Sequence, residues 1–228
     1  MARGRSETKE ERDGAGGTPD PEEIRIWCAD RGFSLSPPSC LGLARYLALL
    51  SRWSRVMNLV GPEEPEVILR TLIADSLHLA GFLRELPLRD DPQTWDLGAG
   101  AGLPGIPLRQ IWQKGTYTLV ESREKRAAFL RTFLVACPLP GVTVFRGRAE
   151  DFIAGHPPAD LVISRAFLPW RQVLDLVAGR VSPGGCCLFL ASGPAPAPPD
   201  GWSLLAQCPY PAGEGVRHFW AFSPLARP

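Results

Sequence analysis

An α/β fold, with a mostly parallel sheet covered by helices on both faces and preceded by a helical segment, is predicted by three features of the sequence. From Asp91 onward, short apolar runs of strand character alternate with helical patterns across short connections, the rhythm of a parallel sheet. Ahead of that point, three helical patterns follow one another with no convincing strand between them. Between the first strand and the helix after it lies a glycine-rich loop, Gly98 to Gly105, at the edge of the sheet where α/β proteins take their ligands.

Residues 1–20 are polar, rich in glycine and nearly free of large apolar groups. They cannot bury enough surface to offset the entropy of ordering, so a disordered tail is expected. The segment PEEIRIWCADRG, from Pro21, reads as a short helix. Ile24, Trp27 and Cys28 share a face, proline and two glutamates open it, and Gly32 closes it. From about Ser39 to Leu59 the apolar residues Leu43, Tyr46, Leu47, Leu50, Trp53, Val56 and Met57 keep helical spacing, with Arg45, Arg52 and Arg55 on another stripe. A third helix, about Glu64 to Leu83, carries Val67, Ile68, Leu72, Ile73, Leu77 and Leu79. Residues 21–90 therefore form a helical segment, and 91–228 the sheet-containing core. In that core TWDLG, TYTLVE, VTVFRG and ADLVISRA read as strands. The helices between them are LPGIPLRQIW, REKRAAFLRTFLVA and a short third one. A helix from about Trp170 to Arg180 precedes a Pro183-Gly184-Gly185 turn and the strand CCLFLA. The proline-laden tract 193–201 can only be loop. Strands at about Ser203 to Gln207 and Arg217 to Phe222 close the sheet as an antiparallel pair, and no internal repeat suggests a solenoid.

Composition narrows the function classes. A chain of 228 residues with 45% hydrophobic and 21% charged residues is neither fibre nor coiled coil. It has no run of roughly 18 apolar residues and no apolar leader, so a cytoplasmic location is expected. The six cysteines form no C-x-x-C pair, and Cys186 and Cys187 are adjacent, so reduced and mostly buried thiols are expected. His78, His156 and His218 are far apart and no short-spaced ligand set exists, so no metal is expected. The net charge of +1 hides an asymmetry: Arg123, Lys125, Arg126, Arg131, Arg146 and Arg148 face the single acid Glu124 over that stretch, an excess that suits a polyanionic partner or a solvated helix face. Arginines outnumber lysines 22 to three, so arginine richness alone is no evidence of phosphate binding.

The loop reads Asp96-Leu-Gly98-Ala-Gly100-Ala-Gly102-Leu-Pro-Gly105. Starting at Gly100 it satisfies the dinucleotide fingerprint, with Glu121 ending the next strand as the ribose acid, which would make the chain an NAD-dependent oxidoreductase. In that fingerprint, however, the first glycine closes the strand, and here Gly98 holds that place. Starting at Asp96, the pattern acid-x-Gly-x-Gly-x-Gly resembles the first motif of class I S-adenosylmethionine-dependent methyltransferases, which have a Rossmann-like sheet. That resemblance implies an S-adenosyl-L-methionine-binding core. Gly98, Gly100, Gly102 and Leu103 would lie against the methionine part, Glu121 would accept the ribose hydroxyls, and Ala149 and Glu150 would frame the adenine.

Further segments recur in one order: Trp53 with Asn58-Leu59, Asp75-Ser76-Leu77, Gly98 to Pro107, Glu121-Ser122 with Lys125-Arg126 and Phe129-Leu130, Arg148-Ala149-Glu150, Ile163-Ser164-Arg165-Ala166-Phe167 and Arg217-His218. Together they resemble the small-subunit ribosomal RNA guanine-N7 methyltransferases, also called glucose-inhibited division protein B, over about Leu43 to Gly193. The resemblance implies transfer of a methyl group to N7 of guanine 527 of 16S rRNA, with the small ribosomal subunit or its precursor as partner; a monomer is expected. Two places depart from the family pattern. Thr71-Leu72, with Arg70 displaced by one, stands where the family has Arg-His, and Ser192-Gly193 replaces Lys-Gly, which removes a cation from the rim of the site.

The chemistry expected of such a site is positional. Guanine N7 carries a lone pair and no proton, so in-line placement of nucleophile and methyl suffices without a general base. The chain lacks both the Asn-Pro-Pro-aromatic motif of exocyclic-amine methyltransferases and a Pro-Cys nucleophile. Arg165 and Phe167 are the positioning candidates. Arg165 would bind the cofactor's carboxylate or an RNA phosphate. Phe167 or Trp170 would stack on the guanine, with core packing as the other reading of Phe167. Arg123, Lys125, Arg126 and Arg148 are the candidates for RNA phosphate contacts. A non-catalytic RNA- or nucleotide-binding module is the alternative from another class.

Overall fold

The computed structural model describes residues 19–61, 64–213 and 215–225. Of the expected tail, residues 1–18 lie outside the described residues. Asp20 already belongs to the fold: its carboxylate accepts from the Glu22 amide at 2.9 Å and caps helix α1 (Pro21–Ala29). Helix α2 (Pro37–Met57) starts at the Ser36 cap and stops at Asn58, whose φ of 52° is left-handed. Leu43, Tyr46, Leu47 and Leu50 are buried as their spacing requires, but Val56 is 85% exposed. It lies one turn beyond Arg52 and so shares the arginine face, where Arg45, Arg52 and Arg55 are exposed.

The third expected helix is broken into α3 (Pro65–Ile68), a π-helical turn (Leu69–Ile73) and α4 (Ala74–Glu85). In the wide turn the Ala74 amide reaches back five residues to the Leu69 carbonyl, while the Thr71 hydroxyl donates to the Val67 carbonyl at 2.6 Å and competes with the regular ladder. Ile68, Leu69, Ile73 and Leu77 are all buried as a result, and Val67 is left outside.

Seven strands form one sheet: β1 (Gln93–Leu97), β2 (Thr116–Glu121), β3 (Val142–Arg146), β4 (Ala159–Ser164), β5 (Val181–Ala191), β6 (Trp202–Ala212) and β7 (Gly215–Pro224). Their order is β3-β2-β1-β4-β5-β7-β6, parallel through the first five, with β7 antiparallel to both its neighbours. Helices α5 (Gly105–Arg109), α6 (Glu124–Ala136), α7 (Ala149–Gly155) and α8 (Trp170–Leu176) make the connections. Strand alternation divides the interior in two. Tyr117, Leu119, Leu161, Ile163, Leu188 and Phe219 join the core that contains α1, α2, α4 and α6, whereas Trp95, Leu97, Val120, Val162, Phe189 and Phe222 pack on α7 and α8.

Several boundaries differ from expectation. Helix α8 ends at Leu176, and Pro183-Gly184-Gly185 lies within β5 instead of forming a turn. The register of β5 against β4 shifts there, and a side chain at residue 185 would meet the Asp160 backbone at 2.6 Å. The two last strands are longer than the apolar pattern indicated, because β6 is an edge strand where Pro209 and Pro211 break no ladder. All six cysteines are free thiols and four are buried. No helix among the described residues is long and apolar enough to cross a membrane.

The helical segment and the sheet share one core: the Tyr46 ring meets Phe133 edge-on at 5.5 Å, and Phe82 stacks on Phe219 at 5.5 Å. Leu47→Ala should therefore cost about 2–5 kcal/mol and leave a single unfolding transition by both far-ultraviolet dichroism and tryptophan fluorescence. A separate early transition for the helices would contradict the shared core.

Candidate functional site

The glycine loop is held from three sides. The Gly98 and Ala99 amides both donate to the Val120 carbonyl at 3.0 Å, the Tyr46 hydroxyl donates to the Ala101 carbonyl at 2.8 Å, and the Gly100 amide donates to Glu121 Oε2 at 2.9 Å. Gly98 and Gly100 have φ of 72° and 59°, the left-handed region that only glycine enters freely. Beneath the loop Asp96 is 1% exposed and accepts the Tyr117 hydroxyl at 2.9 Å. Burial pushes its carboxyl up to about 7. The Tyr117 hydroxyl, the Arg165 charge and the Gly105 amide act in the opposite direction.

Two cavities flank the loop. The first, of about 280 Å³, is lined by Gly98, Glu121, Ser122, Arg123, Arg126, Gly147, Arg148, Ala149, Glu150, Ala166 and Phe167 among others. The second, of about 260 Å³, is lined by Leu59, Val60, Leu72, Gly98, Gly100, Ala101, Leu103, Arg126, Arg165 and Ala166. Gly98, Arg126 and Ala166 border both, so the two are halves of one groove across the loop. Glu121, 5% exposed, has one oxygen on the Gly100 amide and the other on the Arg123 amide at 2.7 Å. A carboxylate has about four acceptor sites, which leaves roughly two for hydroxyl donors. Gly102 borders neither cavity; a side chain there would meet Ile106 at 2.5 Å and Leu130 at 2.9 Å, so its place is in packing α5 and α6.

Ala166, just beyond β4, has a φ of 51°, an uncommon conformation for a residue with a side chain. Its neighbours diverge: Arg165 lines the second cavity and Phe167 the first. Ala166 also borders a third cavity, of about 560 Å³, with Ser164, Trp170, Ser192 and Trp220. Phe167 packs against Gly98, where a Cβ would come within 2.5 Å of its ring. Trp170 is already stacked on Phe222 at 5.5 Å with the Arg171 guanidinium 4.5 Å from its ring, so of the two rings expected at a base it is the more fully engaged by the protein.

Of the phosphate candidates, Arg123 and Arg126 line the first cavity and Arg148 does so while paired to Glu150 at 3.5 Å; Lys125 is exposed and lines neither cavity. Arg146, by contrast, is paired with Glu124 at 3.2 Å. Sequence reasoning gave no role to a cluster around the buried Asp75, beside the second cavity, in which Asp75 meets Arg217 at 2.7 Å, Tyr210 at 3.2 Å and Arg165 at 3.5 Å. Burial raises the Asp75 carboxyl, against the lowering charges of Arg165 and Arg217. No spacing in the sequence signals this meeting, which the sheet order alone creates. The departure at Thr71-Leu72 also finds its place: Thr71 bonds within the π turn and Leu72 lines the second cavity. Among the described residues no group of three metal-ligating side chains converges.

A family model described as rRNA small subunit methyltransferase G matches residues 40–193. A ribosomal RNA small subunit methyltransferase G from Nitratidesulfovibrio vulgaris is 53% identical over 208 residues, 91% of this chain and 95% of the relative. Another from Oleidesulfovibrio alaskensis is 46% identical over 217 residues, 90% and 95% of the two chains. Among solved structures, a mutant of MtNAS in complex with S-adenosylmethionine superposes with a TM-score of 0.56 at 16% identity, over 90% of this chain and 78% of that one. The yhhF protein of Escherichia coli gives 0.52 at 18%, over 66% and 86%. At such identities the two structures speak to the fold alone.

The Asp96 geometry has a consequence for stability. Its carboxyl is raised from 3.8 to about 7 in the folded chain, so between those values the native state holds a proton that the unfolded state releases, and stability falls as pH rises through the window. Urea unfolding of the wild type and Asp96→Asn across that range should give a difference in stability that declines toward neutral pH, with a slope approaching one proton. A flat difference would place the ionisation outside the window.

Proposed function

The chain belongs to the rRNA small subunit methyltransferase G family, and on that premise we propose that it transfers a methyl group from S-adenosyl-L-methionine to N7 of a guanine in 16S rRNA, guanine 527 by family resemblance. The observation that carries this reading is the groove across the glycine loop, with a hydroxyl-accepting carboxylate, Glu121, in one half and a guanidinium, Arg165, in the other. An amino acid joined to a nucleoside needs that pairing of ends. Bound there, S-adenosylmethionine would supply an electrophilic methyl on its sulfonium.

Every remaining task falls to positioning by the chain. Glu121 takes the ribose hydroxyls, Ala149 and Glu150 frame the base of the nucleoside, and Gly98, Gly100 and Leu103 form the wall of the groove. Arg165 faces the carboxylate or an RNA phosphate. The acceptor nitrogen has no proton to lose, and the acid beneath the loop is not placed as a base: Asp96 borders neither cavity and is bonded to Tyr117. Arg123, Lys125, Arg126 and Arg148 surround the groove or flank it on α6 and the β3–α7 connection, and would neutralise phosphates of the rRNA. The major-groove edge of a paired guanine is inaccessible in A-form RNA, so the target base is unpaired when it is methylated. The partner is the small subunit or its precursor in the cytoplasm, and the enzyme acts as a monomer.

Labelled S-adenosylmethionine incubated with small subunits from cells lacking this protein should yield 7-methylguanine on digestion and mass spectrometry; incorporation at another base or atom would overturn the assignment. Glu121→Gln should weaken S-adenosylhomocysteine binding about 10- to 100-fold by calorimetry, since hydrogen bonds to a charged acceptor are lost. An unchanged affinity would remove Glu121 from the site.

A further inference from the structure

Asp75 stands at the start of α4, immediately after the π-helical turn, and is 1% exposed. Its three partners come from distant parts of the chain: Arg165 from beyond β4, Tyr210 from β6 and Arg217 from β7. The contacts are unequal. Arg217 Nη1 donates at 2.7 Å and the Tyr210 hydroxyl at 3.2 Å, whereas Arg165 Nη2 lies at 3.5 Å, the longest of the three.

One carboxylate balances one guanidinium. Asp75 is shared between Arg217 and Arg165, so these three side chains carry a formal excess of one positive charge, and Arg165, the more distant of the two, also acts on the buried Asp96 carboxyl. Arg165 is 21% exposed and lines the second cavity beside the glycine-loop backbone. A planar guanidinium with five donors that spends one Nη near Asp75 keeps the rest for a ligand. A largely buried cation that shares its counter-charge with a second cation is better balanced when an anion joins it.

We infer that Asp75 is a positioning residue for Arg165: anchored by Arg217 and Tyr210, it aims the guanidinium into the second cavity, where it takes an oxyanion, a carboxylate or a phosphate. The inference rests on the function proposed above and adds to it the group that orients Arg165. Arg217 and Tyr210 serve as the anchor of that group, so the terminal strands are tied to the groove without lining it.

A double-mutant cycle tests this, with three readouts on each variant: S-adenosylhomocysteine affinity by calorimetry, KM for small subunits, and thermal unfolding. Asp75→Asn should weaken oxyanion binding about tenfold or more in the chain that keeps Arg165, and should have no further effect in the Arg165→Gln background. The double variant keeps the formal charge of the wild type, which guards the comparison against misfolding. Loss confined to S-adenosylhomocysteine identifies the carboxylate of an amino acid, and loss confined to the subunit KM identifies an RNA phosphate. Asp75→Glu should recover part of whichever is lost. If Asp75 merely holds the fold together, its substitution lowers the melting temperature equally in both backgrounds and leaves affinity and KM untouched, which overturns the inference. A wild-type chain that neither binds S-adenosylhomocysteine nor methylates small subunits fails at the proposed function itself, and the inference falls with it.

Discussion

A loop with left-handed glycines at its centre has no side chains with which to fix its own shape, so the bonds delivered to it from neighbouring elements decide whether a groove exists at all. Val120 supplies one carbonyl to two amides, Glu121 a carboxylate to a third, and Tyr46 a hydroxyl to a carbonyl. These groups come from β2 and α2, which explains why a helix ahead of the sheet is packed so closely against it. Ser39 of α2 donates to the Gln110 carbonyl at 2.7 Å, and Gly42 leaves no room for even a Cβ beside the Gln110 side chain. The helical segment is thus a buttress for the loop as well as part of the core. Glu121 performs two tasks with one group, holding the loop from within while offering its unused acceptor sites to the groove.

Much of this was legible in the sequence wherever the determinants are local. Alternation of strand and helix from Asp91, the proline and two glutamates that open α1 and the acid-x-Gly-x-Gly-x-Gly pattern each express a backbone requirement within a few residues, and the corresponding elements are present. Less legible were features set by competition or by distance. The break after Ile68 coincides with a Thr71 hydroxyl on the Val67 carbonyl, a competitor of the regular ladder, and a helical apolar pattern runs through it undisturbed. The lengths of β6 and β7 follow from pairing with each other, so polar and proline-containing residues were drawn into strands their own propensities disfavour.

The candidate site divides in the same way. Glu121, Arg165, Phe167 and the glycines end strands or fill the loop between them, so the parallel sheet brings them to one edge. The Asp75 cluster could not be derived, because its members become neighbours only once β7 has entered the sheet between β5 and β6. The electrostatics follow that topology: Asp75 is buried on α4, and the sheet order brings two partly exposed guanidiniums onto it, Arg217 from β7 and Arg165 from beyond β4.

That insertion bears on how the protein comes into being during synthesis. A chain that has emerged through β6 presents a five-stranded parallel sheet with an open edge on β5 and a sixth strand with no partner, since β6 touches the sheet only through β7. Asp75 then lacks Arg217, its closest cation, until β7 threads between its neighbours. Nascent chains short of β7 consequently hold the glycine loop before Asp75 has met Arg217, and the side of the groove next to Arg165 takes its shape only after β7 has paired.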